Sequence, residues 1–239
     1  MPWQWHRSVR VLKTWDAIGL VAVRKPQNVL CIPTVARYGK VKSILPDVAY
    51  DHDGEHFTAL DGSRLWLLHR LDLGTSGVLL LTTQSVTAKK IKMLFKNRQV
   101  TKTYKAVVFS QPHNPALAAG QEWRDYLDQK GEIKLASTVL ESAVPVEDNL
   151  HLLTLQPKTG FQHQLRKQCS LRQLPIVDDD RHGDFARNRA KNFSGKRLLL
   201  HSEKVSFTLQ GTCYEAISPL EAEVNFLPNF ARFAPQTEA

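Results

Sequence analysis

His69-Arg70-Leu71-Asp72-Leu73-Gly74-Thr75-Ser76-Gly77 leads without a spacer into Val78-Leu79-Leu80-Leu81-Thr82. The first stretch is a polar turn that holds one carboxylate between a cation and a pair of hydroxyls. Residues 77–82 form a continuous apolar run, the pattern of a strand covered on both faces. Taken alone, the turn has a plain structural reading: Asp72 accepts hydrogen bonds from nearby backbone amides, and Gly77 frees the chain to enter the strand.

Outward from this point the signals alternate between strand and helix. Residues 19–24, Gly-Leu-Val-Ala-Val-Arg, read as a buried strand stopped by Lys25-Pro26. Residues 47–64 are polar and rich in turn formers, a loop or short hairpin. Across residues 84–98 the period becomes helical: Ala88, Ile91, Leu94 and Phe95 share one side, and Lys89, Lys92 and Lys96 another. Residues 101–109 return to alternation, with Lys102, Tyr104, Ala106 and Val108 facing one way and Thr103, Lys105, Val107 and Phe109 the other. A strand follows over residues 150–155, then helical spacing over 161–171 through Phe161, Leu165 and Cys169. Residues 181–197 read as a basic loop, residues 198–209 as a long strand, and the chain from Thr237 as a frayed end. Strands outnumber helices, and neighbouring strands often lack a helical crossover. The expected class is therefore α+β, with a mixed, mostly antiparallel central sheet and flanking helices. No repeat and no domain boundary is visible, so residues 1–239 are expected to form a single domain.

Composition narrows the function classes. At 239 residues, 42% hydrophobic and 23% charged, the chain is globular and long enough for a substantial core. Lys and Arg number 32 against 23 Asp and Glu, a net charge of +9 that favours polyanionic partners, nucleic acid first. Cys31, Cys169 and Cys213 form no CxxC pair and no even set, which fits a reducing compartment rather than a disulfide framework. The N-terminus has no apolar signal region, and no apolar run approaches the roughly 20 residues of a membrane span. A cytoplasmic location without membrane association is expected. The cluster Asp51-His52-Asp53-Gly54-Glu55-His56 has a His-x3-His spacing but no helical period to align it, so no metal site is expected. Asp178-Asp179-Asp180 reads as a turn.

The string over residues 69–77 resembles HRLDxxTSG, the signature of the RluA-type family of RNA pseudouridine synthases, and every fixed position matches. The resemblance extends in order along most of the chain. Ala22-Val23-Arg24-Lys25-Pro26 is similar to the family's early VxKP strand, and Lys102-Thr103-Tyr104 to its K-x-Y element. Residues 157–166, ending Gly160-Phe161-Gln162-His163-Gln164-Leu165-Arg166, resemble P-x-T-G-R-x-H-Q-[IL]-R. Leu198-Leu199-Leu200-His201-Ser202 is similar to the late LLLHA strand, and Leu227-Pro228 to the closing apolar-Pro element. There are departures. Phe161 stands in the usual Arg place and Gln168 in a His place. Residues 175–183 match P-I-x-G-D-x-x-Y-G with Asp178 and His182 as changes.

The resemblance implies the pseudouridine synthase fold with a basic active-site cleft, a single catalytic domain without a separate N-terminal RNA-binding domain, and a structured rRNA or tRNA as partner. A monomer is expected. Converting uridine to pseudouridine breaks the C1′–N1 bond, re-presents the uracil and forms a C1′–C5 bond. No redox step or group donor enters, so no cofactor, nucleotide or otherwise, is expected. One carboxylate must act as nucleophile on the nucleoside, at the ribose or at the base. The resemblance assigns that role to Asp72 and pairs it with Arg166, whose cation would favour the ionised form. Tyr104 is expected to stack on the uracil and take part in removing the C5 proton. Leu165 is expected as an apolar wall by the base, with Lys102 and His163 also on the substrate side. Arg70 is expected to fill the stack vacated when the target nucleotide turns outward. Lys89, Lys92, Lys96 and the basic residues of 181–197 are candidate phosphate contacts. Two rivals are a catalytically reduced RNA-binding relative, supported by Phe161 and Gln168, and a glycoside hydrolase, which would want a second positioned carboxylate.

Overall fold

The computed structural model describes residues 3–33, 42–111, 113–147, 149–190 and 197–220. In chain order the strands are β1 (Arg10–Trp15), β2 (Leu20–Lys25), β3 (Ala49–Asp51), β4 (His56–Thr58), β5 (Arg64–Leu67) and β6 (Ser76–Thr82). Helix α1 (Ser85–Lys96) precedes β7 (Thr101–Phe109), β8 (Glu122–Gln129), β9 (Glu132–Glu147) and β10 (Leu150–Pro157). Helices α2 (Gln164–Leu171) and α3 (Phe185–Ala190) are followed by β11 (Leu200–Leu209) and β12 (Thr212–Ile217). Within the units β1–β2, β2–β6, β3–β4, β4–β5, β5–β6, β7–β10, β9–β10, β8–β9 and β11–β12 pair antiparallel, and the fold is the α+β mixture that the patterning implies. The chain divides into two compact units, one of Met1–Thr101 with Lys204–Ile217, the other of Lys102–Glu203 with Ser218–Ala239.

In the first unit, strands run in the order β3-β4-β5-β6, with β2 on β6 and β1 on β2. β6 is buried at every position, as a strand without polar alternation must be. Leu20 and Ala22 of β2 join Val78 and Leu80 of β6 against Ala88 and Ile91 of α1, with Val205 and Phe207 in the same cluster. Leu94 and Phe95 complete the apolar stripe of α1 from partly buried positions. The lysine face is less free than its spacing suggests, because Lys92 Nζ lies 2.5 Å from Glu55 Oε2. Residues 51–56 make the β3–β4 turn. Asp51 Oδ1 accepts from the amides of Asp53 and Gly54, at 2.9 and 3.1 Å, which explains its acidic cluster as turn chemistry.

In the second unit, β7, β10, β9 and β8 are successive antiparallel neighbours. The alternation of β7 is realised: Tyr104, Ala106 and Val108 pack on the side of Leu165 and Cys169 of α2, and Val107 and Phe109 on the side of Val177 and Leu199. The β8–β9 hairpin closes through Lys130 and Gly131, with φ of 59° and 87°. Both central residues are left-handed, as a twisted two-residue hairpin requires.

Several expectations need correction. Residues 181–197 are not all loop, since Phe185–Ala190 is helical; Lys191 and Lys196 lie outside the described residues. Helix α2 begins at Gln164, not Phe161, because His163 sits at φ 55° and cannot belong to a right-handed helix. The stretch 47–64 takes the hairpin of its two expected forms, with β3 paired to β4. Strands β1, β8, β9 and β12 are not announced by the hydropathy readings. Leu227-Pro228 and the end from Thr237 lie outside the described residues.

Candidate active site

In the first unit the Asp72 turn is pinned on both sides of the carboxylate. Lys25 is fully buried, and its Nζ donates to the carbonyls of Pro26, Val29 and Leu73, at 2.9, 2.8 and 3.2 Å. Three donors on one ammonium thus find three acceptors. The Asn28 amide also donates to Leu73 O, at 2.9 Å. On the other side Leu71 N donates to Cys31 Sγ, and that thiol donates to Leu71 O, both at 3.3 Å. Asp72 is half-buried between these anchors, and its own carbonyl accepts from Thr75 N at 3.1 Å, closing the turn. Thr75 and Ser76 are buried, and Gly77 has φ 114°, a conformation that side chains resist. These three residues shape the turn.

His69 is held in place as well. Its Nε2 accepts from Leu80 N at 3.1 Å, which makes Nδ1 the protonated nitrogen of the neutral ring, and the ring stacks on Phe95 at 5.0 Å. Arg70 is exposed. A groove of about 260 Å³ lined by Tyr50, Leu67, His69, Arg70 and Lys92 opens beside the same turn. The role of Lys25 has a direct consequence. Lys25→Met keeps much of the side-chain volume but leaves buried carbonyls unsatisfied, at about 1–3 kcal/mol for each such group. The expected result is a lower midpoint in chemical denaturation together with a larger fall in turnover than in RNA affinity, because the Asp72 turn loses its anchor.

In the second unit Arg166 is almost fully buried. Its Nε donates to Asp179 Oδ2 at 2.8 Å, and its Nη2 to Asp179 Oδ1 at 2.5 Å and to Asp180 Oδ1 at 2.9 Å. Asp179 is wholly buried, and its Oδ1 also accepts from the amides of Arg181 and His182, both at 2.9 Å. Burial alone would raise the Asp179 carboxyl, but the Arg166 hydrogen bonds and the two amides outweigh it and hold the group below its ordinary value. This carboxylate is the residue that the sequence reading missed. Asp178–Asp180 does form the expected turn, yet the middle side chain fixes the candidate catalytic arginine. The match to the Asp of P-I-x-G-D was the available signal.

The remaining candidates cluster around the same helix. Tyr104 stands opposite Leu155 on β10 and packs on the core that contains Leu165, which is buried. Lys102 Nζ donates to Thr159 O at 3.0 Å, tying β7 to the turn before α2. His163 Nδ1 and His182 Nε2 lie 3.1 Å apart, so one ring must donate to the other. Gln164 fastens the start of α2. Its Oε1 accepts from Thr159 Oγ1 and Phe161 N, and its Nε2 donates to Ser137 O and Thr138 Oγ1.

Three departures from the family pattern, Gln168, Asp178 and His182, have physical accounts, and the Phe161 side chain has no structural explanation. Gln168 is fully buried, with its Oε1 accepting from Thr138 Oγ1 at 2.6 Å and its Nε2 donating to Trp123 O and Asp125 Oδ2. It is a satisfied framework residue. Asp178 has φ 57°, which explains why the pattern places Gly there; Asp tolerates this region and adds a bond from Arg197 N to its Oδ2 at 3.2 Å. His182, in the Tyr place, supplies the ring that meets His163. Among the described residues no group of His, Cys, Asp or Glu is arranged to hold a metal ion.

The second unit thus holds a buried arginine of the H-Q-L-R helix locked to the Asp179 carboxylate, and the first unit an aspartate in an HRLD turn anchored by lysine. A family model described as RNA pseudouridylate synthase matches residues 19–171, and the chain belongs to this family. It is 31% identical to the tRNA pseudouridine synthase C of Vibrio cholerae, over 79% of this chain and 81% of the relative. The ribosomal large subunit pseudouridine synthase C of Rickettsia conorii is 31% identical over 69% of this chain and 55% of the relative. The human RNA Pseudouridylate Synthase Domain Containing 4 structure shares the fold, with a TM-score of 0.64 at 23% identity over 92% of each chain. The chain is a pseudouridine synthase by family, as the residues 69–77 implied.

Proposed function

We propose that this protein isomerises specific uridines of structured tRNA or rRNA to pseudouridine, with Asp72 as the nucleophile. Arg166 pairs with Asp72 in the working enzyme, Tyr104 stacks on the uracil and assists proton removal from C5, and Leu165 walls the base. Arg70 takes the place of the displaced nucleotide, with Lys102 and His163 on the substrate side. The whole chain acts as one catalytic domain, a cytoplasmic monomer that needs no nucleotide or other cofactor. Among the described residues no helix is long and apolar enough to cross a membrane.

The observation that carries this reading is the Asp72 turn. A half-buried carboxylate whose two neighbours, Leu71 and Leu73, are each held by a buried side chain is an aimed group rather than a surface acid. The intact frame of α2 supports activity over the RNA-binder reading, since Gln168 is explained by packing. Mapping pseudouridine in tRNA and rRNA from cells with and without the gene tests the proposal. One or more defined sites should lose the modification in its absence; an unchanged map would overturn it.

Affinity should depend on salt, because phosphate contacts release counterions. Between 50 and 200 mM salt the dissociation constant is expected to rise by at least about 10-fold in a filter-binding assay. A flat response would remove the cationic surface from the account.

A further inference from the structure

We propose that the groove along α3 binds an unpaired RNA strand, with Phe185 as a base-stacking platform and Arg189 as a phosphate contact; the proposal rests on the RNA reading above. The groove has a volume of about 680 Å³ and is lined by Gln111, Gln173, Asp184, Phe185, Arg187 and Arg189 among others. That is within the roughly 300–1,000 Å³ usual for small-molecule sites, a scale suited to nucleotides. Phe185 is 51% exposed and is the one phenylalanine among the exposed large apolar side chains of the described residues. Amide side chains, a carboxylate and guanidiniums offer both donors and acceptors to a base edge. An apolar protein helix would meet few partners in this lining.

Helix α3 is short but tethered. Arg187 N donates to Asp184 Oδ1 at 2.9 Å, and the Arg187 guanidinium lies over the Phe109 ring at 5.8 Å. Asp178 N donates to Asn188 Oδ1 at 3.0 Å, and Gly183 abuts Asp179 so closely that a Cβ there would fall 2.3 Å from the Asp179 carbonyl oxygen. The helix is therefore stapled to the segment that holds Arg166. A phenyl ring has only two side-chain torsions to order when it binds beside an exposed arginine, and every base has a face that can stack on it. A ring can reach that face only where the base is not already stacked, which selects unpaired RNA over duplex.

The test uses the full chain and a fluorescein-labelled unpaired RNA of about 12 nucleotides, with a duplex of the same sequence alongside. In fluorescence anisotropy Phe185→Ala should weaken single-strand binding about 10-fold, with the duplex unaffected, and Phe185→Trp should bind as tightly as the wild type. Arg189→Ala should reduce the slope of log affinity against log salt by about 1. Wild-type affinity in Phe185→Ala, or equal losses on single strand and duplex, would overturn the proposal, as would a Trp variant as weak as Ala. Tritium release from RNA containing 5-tritiated uridine is measured in parallel. Binding through Phe185 without release would sink the synthase reading and leave the groove; release with unaltered binding in the variants would sink the groove alone.

Discussion

Asp72→Asn is expected to abolish pseudouridine formation while leaving RNA affinity and thermal stability within about 2-fold and 2 °C of the wild type. The substitution is nearly isosteric and keeps an oxygen for local hydrogen bonds, so the turn pinned by Lys25 and Cys31 should persist. What it removes is the carboxylate proposed as the nucleophile. Loss of a nucleophile commonly lowers turnover by on the order of 10⁴-fold or more. Nucleoside analysis of the RNA after single-turnover incubation measures product, and anisotropy measures binding. Equal losses in both would make Asp72 a binding residue instead of a chemical one.

Asp179 should have the second-largest effect. Asp179→Asn retains shape but breaks the bidentate bridge to a buried arginine. Removing one partner of a buried pair costs about 3–5 kcal/mol. Asp180 remains, but its side chain is 83% exposed and compensates little. For a chain of this size the lower figure corresponds to a fall of roughly 6–12 °C in Tm. Turnover should drop by about 10²-fold from misplacement of the guanidinium, with a smaller change in RNA affinity. The same bridge sets an acid limit on stability. The Asp179 carboxyl is held below its ordinary 3.8, so its contribution is complete above about pH 4 and is lost as pH falls through the depressed value. In urea titrations between pH 2 and 5 the wild type should lose stability more steeply than Asp179→Asn. Parallel curves would show that the bridge contributes nothing.

The sequence was most informative where period and burial agree. The apolar run of β6, the 3.6-residue stripe of α1 and the two-faced alternation of β7 each record a single environment along the element, and all three form as read. β8 was not legible because it is nearly all polar. Only Trp123 and Leu127 are buried, and its turn uses Lys130-Gly131 in place of a stronger hairpin signal. The start of α2 was misplaced because Phe161 falls at helical spacing, whereas the left-handed His163 decides the boundary. Within the candidate site, the HRLD turn and the H-Q-L-R helix were visible as strings. The bonds that hold them were not, since Lys25 lies 48 residues from Leu73 and Cys31 lies 40 from Leu71. Asp179 stands in a run of three acids, where hydropathy cannot say which one turns inward, and its place in the P-I-x-G-D match was the signal that singled it out.

The proposed function requires one side chain, at position 72, to do the chemistry. Tritium release from RNA labelled with 5-tritiated uridine, using purified wild type and Asp72→Asn at equal RNA occupancy, measures it most directly. Sustained release by the wild type and none above background by the variant is the expected result. Release by Asp72→Asn at a rate near that of the wild type would contradict the assignment.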